Sequence, residues 1–420
     1  MKVTYIYHFP YRHLADDFTD RYPESVVTTP FSDLVDPKLL HNDMRSALDE
    51  AMYAARAGFD AVAMTEHGQS SYDINPNPNL AAAALAYVTG SQGLNVGIYT
   101  VGRSLGKSCE PLRVAEEQAW LDYLSGGRLI AGFPVGLAYD ANINAGIPPI
   151  ETRARYDENL EFILKAWTAR KPFPWNGRFA QYMHVNLWPK PMQSPHPPVN
   201  ITGTGNPNTT RFALQRDLGF NLVVLGGAPN AAKRIFDDMW RMAAEMGVDD
   251  NPYRAAFAQL VAVAETDAEA ERLYATHIEY SMAKGIGYIP MHRLALPGGI
   301  SPQGLKVLLK QGAGSHGGPP KYKDLVESGV VIAGSAATVR ERLTERAKEF
   351  RIGNLLAFLQ MGSMPSHLTH YNIDRFAAGV MPALKKLWSE YDDENRWWPV
   401  RLGGKPVSSK QAAQDGARLT

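Results

Sequence analysis

The stretch AMYAARAGFDAVAMTEH, residues 51–67, contains the unit from which the rest of the chain is built. A helical pattern ends at Gly58, and helices favour glycine at their C-terminal end because it tolerates a left-handed backbone. Four consecutive apolar residues at 61–64 follow, as in a strand buried on both faces of a parallel sheet. The acid Glu66 and the base His67 come directly after this strand. The stretch therefore predicts a helix, a buried strand, and polar groups at the strand's carboxyl end.

The same alternation of helix and strand continues along the chain. Amphipathic helical patterns separate eight short apolar runs, and the predicted strands are 3–7, 61–64, 94–99, 128–133, 199–202, 221–225, 255–266 and 355–360. Regular alternation at this count favours a closed (β/α)8 TIM barrel over an open doubly wound sheet. We therefore predict an α/β barrel, with a last helix over 371–388.

The barrel is predicted to be one domain over residues 1–400. Three segments interrupt the alternation, at about 9–39, 170–198 and 285–330, and they are rich in Pro, Gly or polar residues. Long loops in a compact domain are commonly lids or binding loops, so we expect these insertions at the C-terminal face of the barrel. The polar residues 401–420 are expected to form a disordered tail.

Composition and charge exclude several classes of protein. The chain carries 43 basic and 43 acidic side chains, so no global field attracts nucleic acid or an acidic membrane. No run of about 18 apolar residues could span a bilayer, and the first residues, MKVTYIYHFPYRH, do not resemble a signal peptide. The single cysteine, Cys109, rules out an internal disulfide and a cysteine-based zinc site. We expect a soluble cytoplasmic protein.

Chemistry is expected at the carboxyl ends of the strands, where the catalytic residues of such barrels lie. Taken alone, a histidine such as His67 is more often a hydrogen-bonded loop residue than a base. Glu66 could equally cap a helix or pair with a lysine. What favours catalysis is the convergence on one cavity of side chains that are distant in sequence, namely His8, Glu66, His67, Tyr99, Thr100, Thr202 and Gln360.

The segment TGTGNPNTT, residues 202–210, follows the fifth strand and precedes a helix. Glycine-rich backbone at a helix start offers free N–H groups and a positive dipole end to a phosphate, and the threonine hydroxyls add donors. A tight Asn-Pro turn with Asn208 as the helix cap explains the same residues and is compatible with that role. The segment is not a dinucleotide fingerprint, because no acidic residue ends a following strand about 20 residues on.

No set of metal ligands is evident from the spacing. His8 and His13 lie five apart on a loop, which is poor geometry for two metal ligands, and no Gly-x-Ser-x-Gly nucleophile elbow occurs. We therefore predict no metal. A barrel with a phosphate cradle, a base and an apolar mouth suggests a phosphorylated organic cofactor.

Several stretches together resemble the bacterial-luciferase-like flavin-dependent monooxygenases. They cover roughly 40–230 and 330–390 and include GFDAVAMTEH, PLRVAEEQAWLDYLSGGRLIAGFPVGLAYD, ETRARYDENLEFILKAW and GSAATVRERL. That family has a (β/α)8 barrel and commonly dimerises. Its members use reduced FMN from a separate flavin reductase, and O2, to oxygenate a small organic substrate through a C4a-hydroperoxyflavin. The resemblance thus implies a two-component, FMNH2-dependent monooxygenase that forms a homodimer or higher homo-oligomer.

The resemblance also implies roles for single residues. His67 matches a catalytic histidine of the luciferases, and Glu66 would orient its loop. In luciferase an arginine after the fourth strand binds the flavin phosphate, but here that position is Val135. FMN affinity could therefore rest on the backbone and hydroxyls alone, or on Arg103 or Lys107. The implied flavin contacts are Tyr99, Thr100, Tyr139, Thr202, Gly203, Thr204, Gly205, Asn206 and Thr209.

Loops at the barrel mouth are expected to shape the substrate pocket, with His8, Tyr11, Tyr72 and Gln360 as contacts. The sequence does not identify the substrate, and it does not separate hydroxylation from Baeyer–Villiger insertion. Three alternatives stay open. Some relatives use the deazaflavin F420 and transfer hydride on the same barrel, a metal-dependent barrel hydrolase would need bound metal, and a non-catalytic flavoprotein would bind flavin without forming product.

Overall fold

The computed structural model describes residues 1–223, 229–299 and 319–406, and its main sheet is a closed barrel of eight parallel strands. The predicted (β/α)8 fold is confirmed, and the strand ends differ from the prediction by a few residues. The barrel strands are β1 (Lys2–Tyr7), β2 (Ala61–Met64), β3 (Gly97–Thr100), β4 (Leu129–Pro134), β7 (Val199–Gly203), β8 (Gly219–Leu222), β9 (Ala255–Ala264) and β11 (Asn354–Phe358).

The register of the strands shows how the barrel closes. Tyr5 of β1 lies between Val62 of β2 and Ala357 of β11. Ala256 of β9 lies between residues of β8 and β11, which completes the ring. A further strand, β10 (Val331–Ser335), pairs with the second half of β9, beyond the point where β8 ends. The sequence prediction missed β10, because the eight-strand pattern was complete without it.

Successive residues of β9 pack in two different layers. Ala258 and Ala262 pack with Ile6 and Ala63 inside the barrel, whereas Phe257 packs beneath the surrounding helices. Small residues suit the interior because the ring of eight strands is only wide enough for side chains to fill it.

Helices surround the barrel in the predicted order. The longer helices are α3 (Pro37–Arg56), α4 (Pro78–Ser91), α5 (Pro111–Leu124), α6 (Thr152–Thr168), α7 (Pro207–Gln215), α8 (Pro229–Glu245), α9 (Asp267–Lys284), α12 (Ala336–Phe350) and α13 (Ser366–Gly379). The short ones are α1 (Phe18–Arg21), α2 (Phe31–Leu34), α10 (Met291–Leu294), α11 (Tyr322–Glu327) and α14 (Met381–Leu384). No described helix combines the length and apolarity needed to cross a membrane.

Two helix predictions need correction. The predicted helix over 371–388 is divided between α13 and α14, because Pro382 lacks an N–H and its ring clashes with the preceding turn. The cap of α7 is Asn206, whose side chain accepts from the N–H of Asn208 at 2.9 Å, and not Asn208 itself.

The insertions contain more structure than the sequence predicted. Segment 9–39 includes α1 and α2, and segment 170–198 includes a hairpin of β5 (Phe173–Asn176) and β6 (Gln181–Val185). Glu158 of α6 holds the hairpin turn by accepting from three successive backbone N–H groups, those of residues 178–180. Of the third insertion, residues 300–318 lie outside the described chain. Most of the predicted tail, residues 407–420, also lies outside it.

Candidate functional site

His67 lies just past β2 and is held by a carboxylate from the segment after β4, two strands along the barrel. Its Nδ1 is 2.8 Å from an oxygen of Asp140, and the other oxygen of Asp140 accepts from the N–H of Gly68 at 3.0 Å. Asp140 belongs to a π-helical turn, Tyr139–Asn144, that follows β4. Since the carboxylate favours a proton on Nδ1, the neutral ring presents its lone pair at Nε2.

The surroundings of His67 set its protonation. Burial alone would lower its pKa, but the charge and hydrogen bond of Asp140, with a contribution from Asp73, outweigh burial and raise the pKa of His67 above its ordinary value. Burial lowers the pKa of the neighbouring His8 well below its usual range, and the charge of His67 adds to this effect. The two rings are 5.9 Å apart, so one histidine that readily carries a proton lies beside one that stays neutral.

Two tyrosines extend the polar chain from His67. The hydroxyl of Tyr139 is 3.0 Å from His67 Nδ1 and also contacts the hydroxyl of Tyr72. Burial raises the pKa of both phenols well above the usual value, so both remain protonated. The predicted residues His67, Tyr72 and Tyr139 therefore form one hydrogen-bonded cluster with Asp140, which we call the His67 cluster.

A narrow cavity that is partly open to solvent lies beside this cluster. All four predicted substrate contacts line it, namely His8, Tyr11, Tyr72 and Gln360. Most of the remaining wall is apolar or aromatic, with Leu14, Leu260, Ile286 and Phe358 among its residues. Lys284 also lines it, but its ammonium group contacts the carbonyls of Leu14 and Ala15 and the carboxylate of Asp16.

The side chain of Glu66 pairs with a neighbouring loop. Its fully buried carboxylate pairs with Lys107 at 2.6 Å and with Arg103 at 3.3 Å, and both cations come from the loop after β3. We call residues 101–108 the β3 loop. Gly102 of this loop lies so close to the strand that an added Cβ would be 2.4 Å from the backbone nitrogen of Glu66. Glu66 thus holds the β3 loop against the end of β2, the geometry of a positioning residue.

Tyr99 and Thr202 are linked across the barrel. The side-chain N–H of Asn221 on β8 donates to the hydroxyl of Tyr99 and, at 3.1 Å, to that of Thr202. Thr202 in turn donates to the carbonyl of Val101 at 3.0 Å. Thr100 is different, because its hydroxyl donates to Gln118 in the helix layer. Of the two predicted contacts on β3, only Tyr99 extends its side chain into the barrel.

The remaining predicted flavin contacts surround the start of α7. Gly203 ends β7, Gly205 has a left-handed backbone with φ of +95°, and Asn206 caps the helix. The side chain of Thr204 is exposed at this end, whereas that of Thr209 is buried. Pro207 has no N–H, and the N–H groups of Asn208 and Thr209 both donate to Asn206, so the first turn of α7 offers chiefly the positive end of its dipole.

A guanidinium group completes this cradle. Nη1 of Arg153, at the start of α6, donates to the hydroxyl of Thr209 at 2.8 Å, and its Nε pairs with Asp157 at 3.0 Å. An arginine beside a helix N-terminus is a suitable binding group for a phosphate. The residues present therefore fit a phosphorylated flavin here. Arg103 and Lys107, suggested for this task from the sequence, are instead paired with Glu66.

The sequence reasoning missed four residues that the fold brings to the site. Asp140 lies within LAYDAN directly after the predicted contact Tyr139, which was the available signal. Asp73 lies among the polar residues of segment 65–78, directly after β2. Arg153 and Asn221 gave no local signal, because their partners are 56 and 122 positions away in the chain.

Comparison with known proteins adds family information to this geometry. A family model described as luciferase-like monooxygenase matches residues 24–351. The oxygenase component of the flavin-dependent trigonelline monooxygenase of Acinetobacter baylyi is 30% identical over 187 residues, which are 44% of this chain and 49% of that protein. The matched region thus spans about half the length of that relative.

Many solved structures share the fold, and two of them illustrate its range. One is the oxygenating constituent of 3,6-diketocamphane monooxygenase from Pseudomonas putida, a type II Baeyer–Villiger monooxygenase in complex with FMN. It has a TM-score of 0.66 at 20% identity and covers 91% of this chain and 98% of that one. The other is an F420-dependent secondary alcohol dehydrogenase, with a TM-score of 0.62 at 18% identity and coverage of 91% and 98%. At these identities the likeness concerns the fold alone.

Proposed function

The chain belongs to the luciferase-like monooxygenase family, and from this premise we propose that it is a two-component, FMN-dependent monooxygenase. In this proposal a separate flavin reductase supplies reduced FMN, and the protein oxygenates a small organic substrate with O2. The observation that carries the proposal is the Arg153–Thr209 contact at the start of α7, a phosphate cradle at the same end of the barrel as the His67 cluster.

The cofactor side of the site follows from that cradle. The phosphate of FMN would bind the first turn of α7, with Gly205, Asn206 and Thr209 around it and Arg153 compensating its charge. Tyr99, fixed by Asn221, would flank the flavin ring at the end of β3. When bound and reduced, flavin supplies the electrons that activate O2.

On the substrate side, His67 would hold or move a proton at Nε2. Asp140 keeps Nδ1 occupied and raises the pKa of His67, so the ring can exchange a proton near neutral pH. Tyr72 and Tyr139 remain neutral and can donate hydrogen bonds. The largely apolar and aromatic wall between His8 and Phe358 would exclude water and accept an apolar substrate.

The F420 alternative predicts free basic side chains at the mouth of the barrel. The anionic tail of that cofactor would need basic side chains that are free to bind it, and Arg103 and Lys107 of the β3 loop are both paired with Glu66. This pairing favours FMN over F420 in our proposal.

Domain, assembly and location are also proposed here. We propose one barrel domain over residues 1–400 that forms a homodimer through α4 and α5, where Leu80, Tyr87, Trp120 and Tyr123 are large apolar side chains exposed by more than half. The cytoplasmic location expected from the single cysteine stays a prediction.

The proposal is tested by stopped-flow mixing of the protein and photoreduced FMN with oxygenated buffer. We expect a phase of flavin reoxidation that free FMN lacks, altered in His67→Ala and unchanged in His184→Ala, whose ring is exposed on the β5–β6 hairpin. Reoxidation identical to that of free FMN, together with tight F420 binding and hydride transfer, would overturn the proposal. Flavin binding with identical reoxidation and no F420 binding would indicate a non-catalytic flavoprotein.

A further inference from the structure

Beside the base, the fold assembles three side chains that the sequence spacing did not bring together. One ligand atom each of His8, His67 and Asp73 lies within 4.8 Å of the other two. They come from the end of β1, the end of β2 and the following loop, and His8 lines the cavity. The sequence analysis judged His8 and His13 too poorly placed to share a metal, and His13 in fact contacts Asp43 at 3.3 Å.

Supporting contacts around the three groups resemble those of metal ligands. Asp140 holds Nδ1 of His67 at 2.8 Å, so Nε2 is the nitrogen left to bind. Ligating histidines in proteins commonly donate their other N–H to a carboxylate in this way. Asp73 is fixed by the backbone N–H groups of Phe9 and Asn75 at 3.1 and 3.2 Å and by the hydroxyl of Thr65. Among the described residues, none hydrogen-bonds to either ring nitrogen of His8.

The spacing is close to what an ion needs. Zinc bonds to imidazole nitrogen and carboxylate oxygen are about 2.0–2.2 Å, which places neighbouring tetrahedral ligands about 3.4 Å apart. The separations must therefore shrink by at most about 1.4 Å. Rotation of the His8 ring would supply this movement, and His8 is the member of the three that lines the cavity.

We propose that His8, His67 and Asp73 form a site for a borderline divalent transition-metal ion such as Zn²⁺, with the fourth position open to the cavity. Two imidazoles and one carboxylate suit such an ion better than Mg²⁺ or Ca²⁺, which prefer oxygen ligands. The ion takes the Nε2 lone pair of His67 and so prevents this atom from accepting a proton. This regulatory consequence rests on the proposed function, whereas the binding does not.

The test is equilibrium dialysis of the flavin-free protein with Co²⁺, whose visible absorption reports its ligands. We expect stoichiometric binding to wild type, loss of the site in His8→Ala and in Asp73→Asn, and about 10–100-fold weaker binding in Asp140→Asn. His184→Ala is the control and should bind as wild type does. Circular dichroism identifies any variant that fails to fold, and the Co²⁺ binding of the folded variants then tests the site.

Two results would overturn the site: no stoichiometric Co²⁺ binding to wild type, or undiminished binding by the folded His8→Ala variant. The regulatory consequence is tested by repeating the flavin reoxidation experiment with Zn²⁺. If Zn²⁺ binds with the expected variant pattern but leaves wild-type reoxidation unchanged, the consequence is wrong and the site stands. Because binding is measured without flavin, its failure leaves the oxygenase proposal untouched.

Discussion

At the scale of single residues, Asp140 determines how His67 can act. Its carboxylate outweighs the effect of burial and raises the pKa of His67. Because this pKa is higher in the folded state than in the unfolded chain, the interaction stabilises the fold fully below the unfolded value of about 6.5 and loses this effect as the pH rises through the folded value. Each unit of difference corresponds to about 1.4 kcal/mol.

Asp140→Asn keeps the shape of the side chain and removes its charge. We expect the pKa of His67 to fall, because the Asp140 charge that outweighed the effect of burial is removed. We also expect the added stability at acidic pH to be lost. An NMR titration of the His67 ring measures the pKa, and urea unfolding at pH 5.5 and 8.5 measures the stability. Tyr139→Phe is the control, because it removes the other Nδ1 contact without a charge. An unchanged His67 pKa in Asp140→Asn would show that the carboxylate does not control the ring.

At the scale of elements, an ion cluster joins the β3 loop to the end of β2. Glu66→Gln leaves Lys107 largely buried without its counter-charge, whereas Arg103 keeps a second carboxylate partner, Glu117, at 3.3 Å. Breaking a buried pair in this way costs about 3–5 kcal/mol, and we expect a loss of that size in the free energy of unfolding measured with urea. Glu116→Gln is the control, because its partner Arg113 is exposed and such pairs contribute less than about 1 kcal/mol. Lost activity at full stability would instead assign Glu66 a direct catalytic role.

A second contact between elements connects α6 and α7. Arg153→Gln removes the guanidinium that donates to Thr209, and hydrogen bonds to charged groups contribute about 1.5–3 kcal/mol. We therefore expect FMN to bind about 10–100-fold more weakly, with no change for riboflavin, which lacks the phosphate. Fluorescence titration of both ligands measures this. Arg155→Gln, two residues along the same helix and paired with Glu151, should bind FMN as wild type does. An equal loss for riboflavin would place the phosphate elsewhere.

At the scale of the whole molecule, one outer face of the barrel is unusually apolar. Leu80 and Tyr87 of α4 are 65% and 66% exposed, and Trp120 and Tyr123 of the adjacent α5 are 53% and 54% exposed. Exposed apolar patches of this kind commonly mark interfaces between proteins. Since α4 and α5 lie on the outside of the barrel, a second copy could bind there without covering the mouth.

Charged substitutions on this face should separate the subunits. We expect wild type to sediment as the proposed dimer and the double variant Trp120→Glu, Tyr123→Glu to sediment as a monomer, because burying two carboxylates in an apolar interface is unfavourable. Analytical ultracentrifugation measures the masses. Trp188→Glu is the control, since Trp188 is 80% exposed after the β5–β6 hairpin. A wild-type protein that is already monomeric would contradict the proposed dimer.

The sequence by itself determined the barrel and much of its mouth. Strand and helix positions follow from local hydrophobic patterns. The eight apolar runs predicted the ring of parallel strands, because strands that are buried on both faces consist almost entirely of apolar residues. The same logic placed His8, His67 and Gln360 at one end, since residues that follow strands converge there in such a fold. Local signals also located the turn before α7, where Asn206 and Pro207 stop one element and start the next.

Only the tertiary structure decided which side chains act together. Asp140 reaches His67 across 73 positions, and Arg153 reaches Thr209 across 56. Glu66 was expected beside the reaction, yet its carboxylate pairs with the β3 loop. These pairings depend on how loops from different strands pack over the mouth, and the free energy of an ion pair or a buried hydrogen bond depends on distance and burial, which no local pattern encodes. Sequence periodicity thus specifies the elements, whereas contacts between distant residues specify the chemistry.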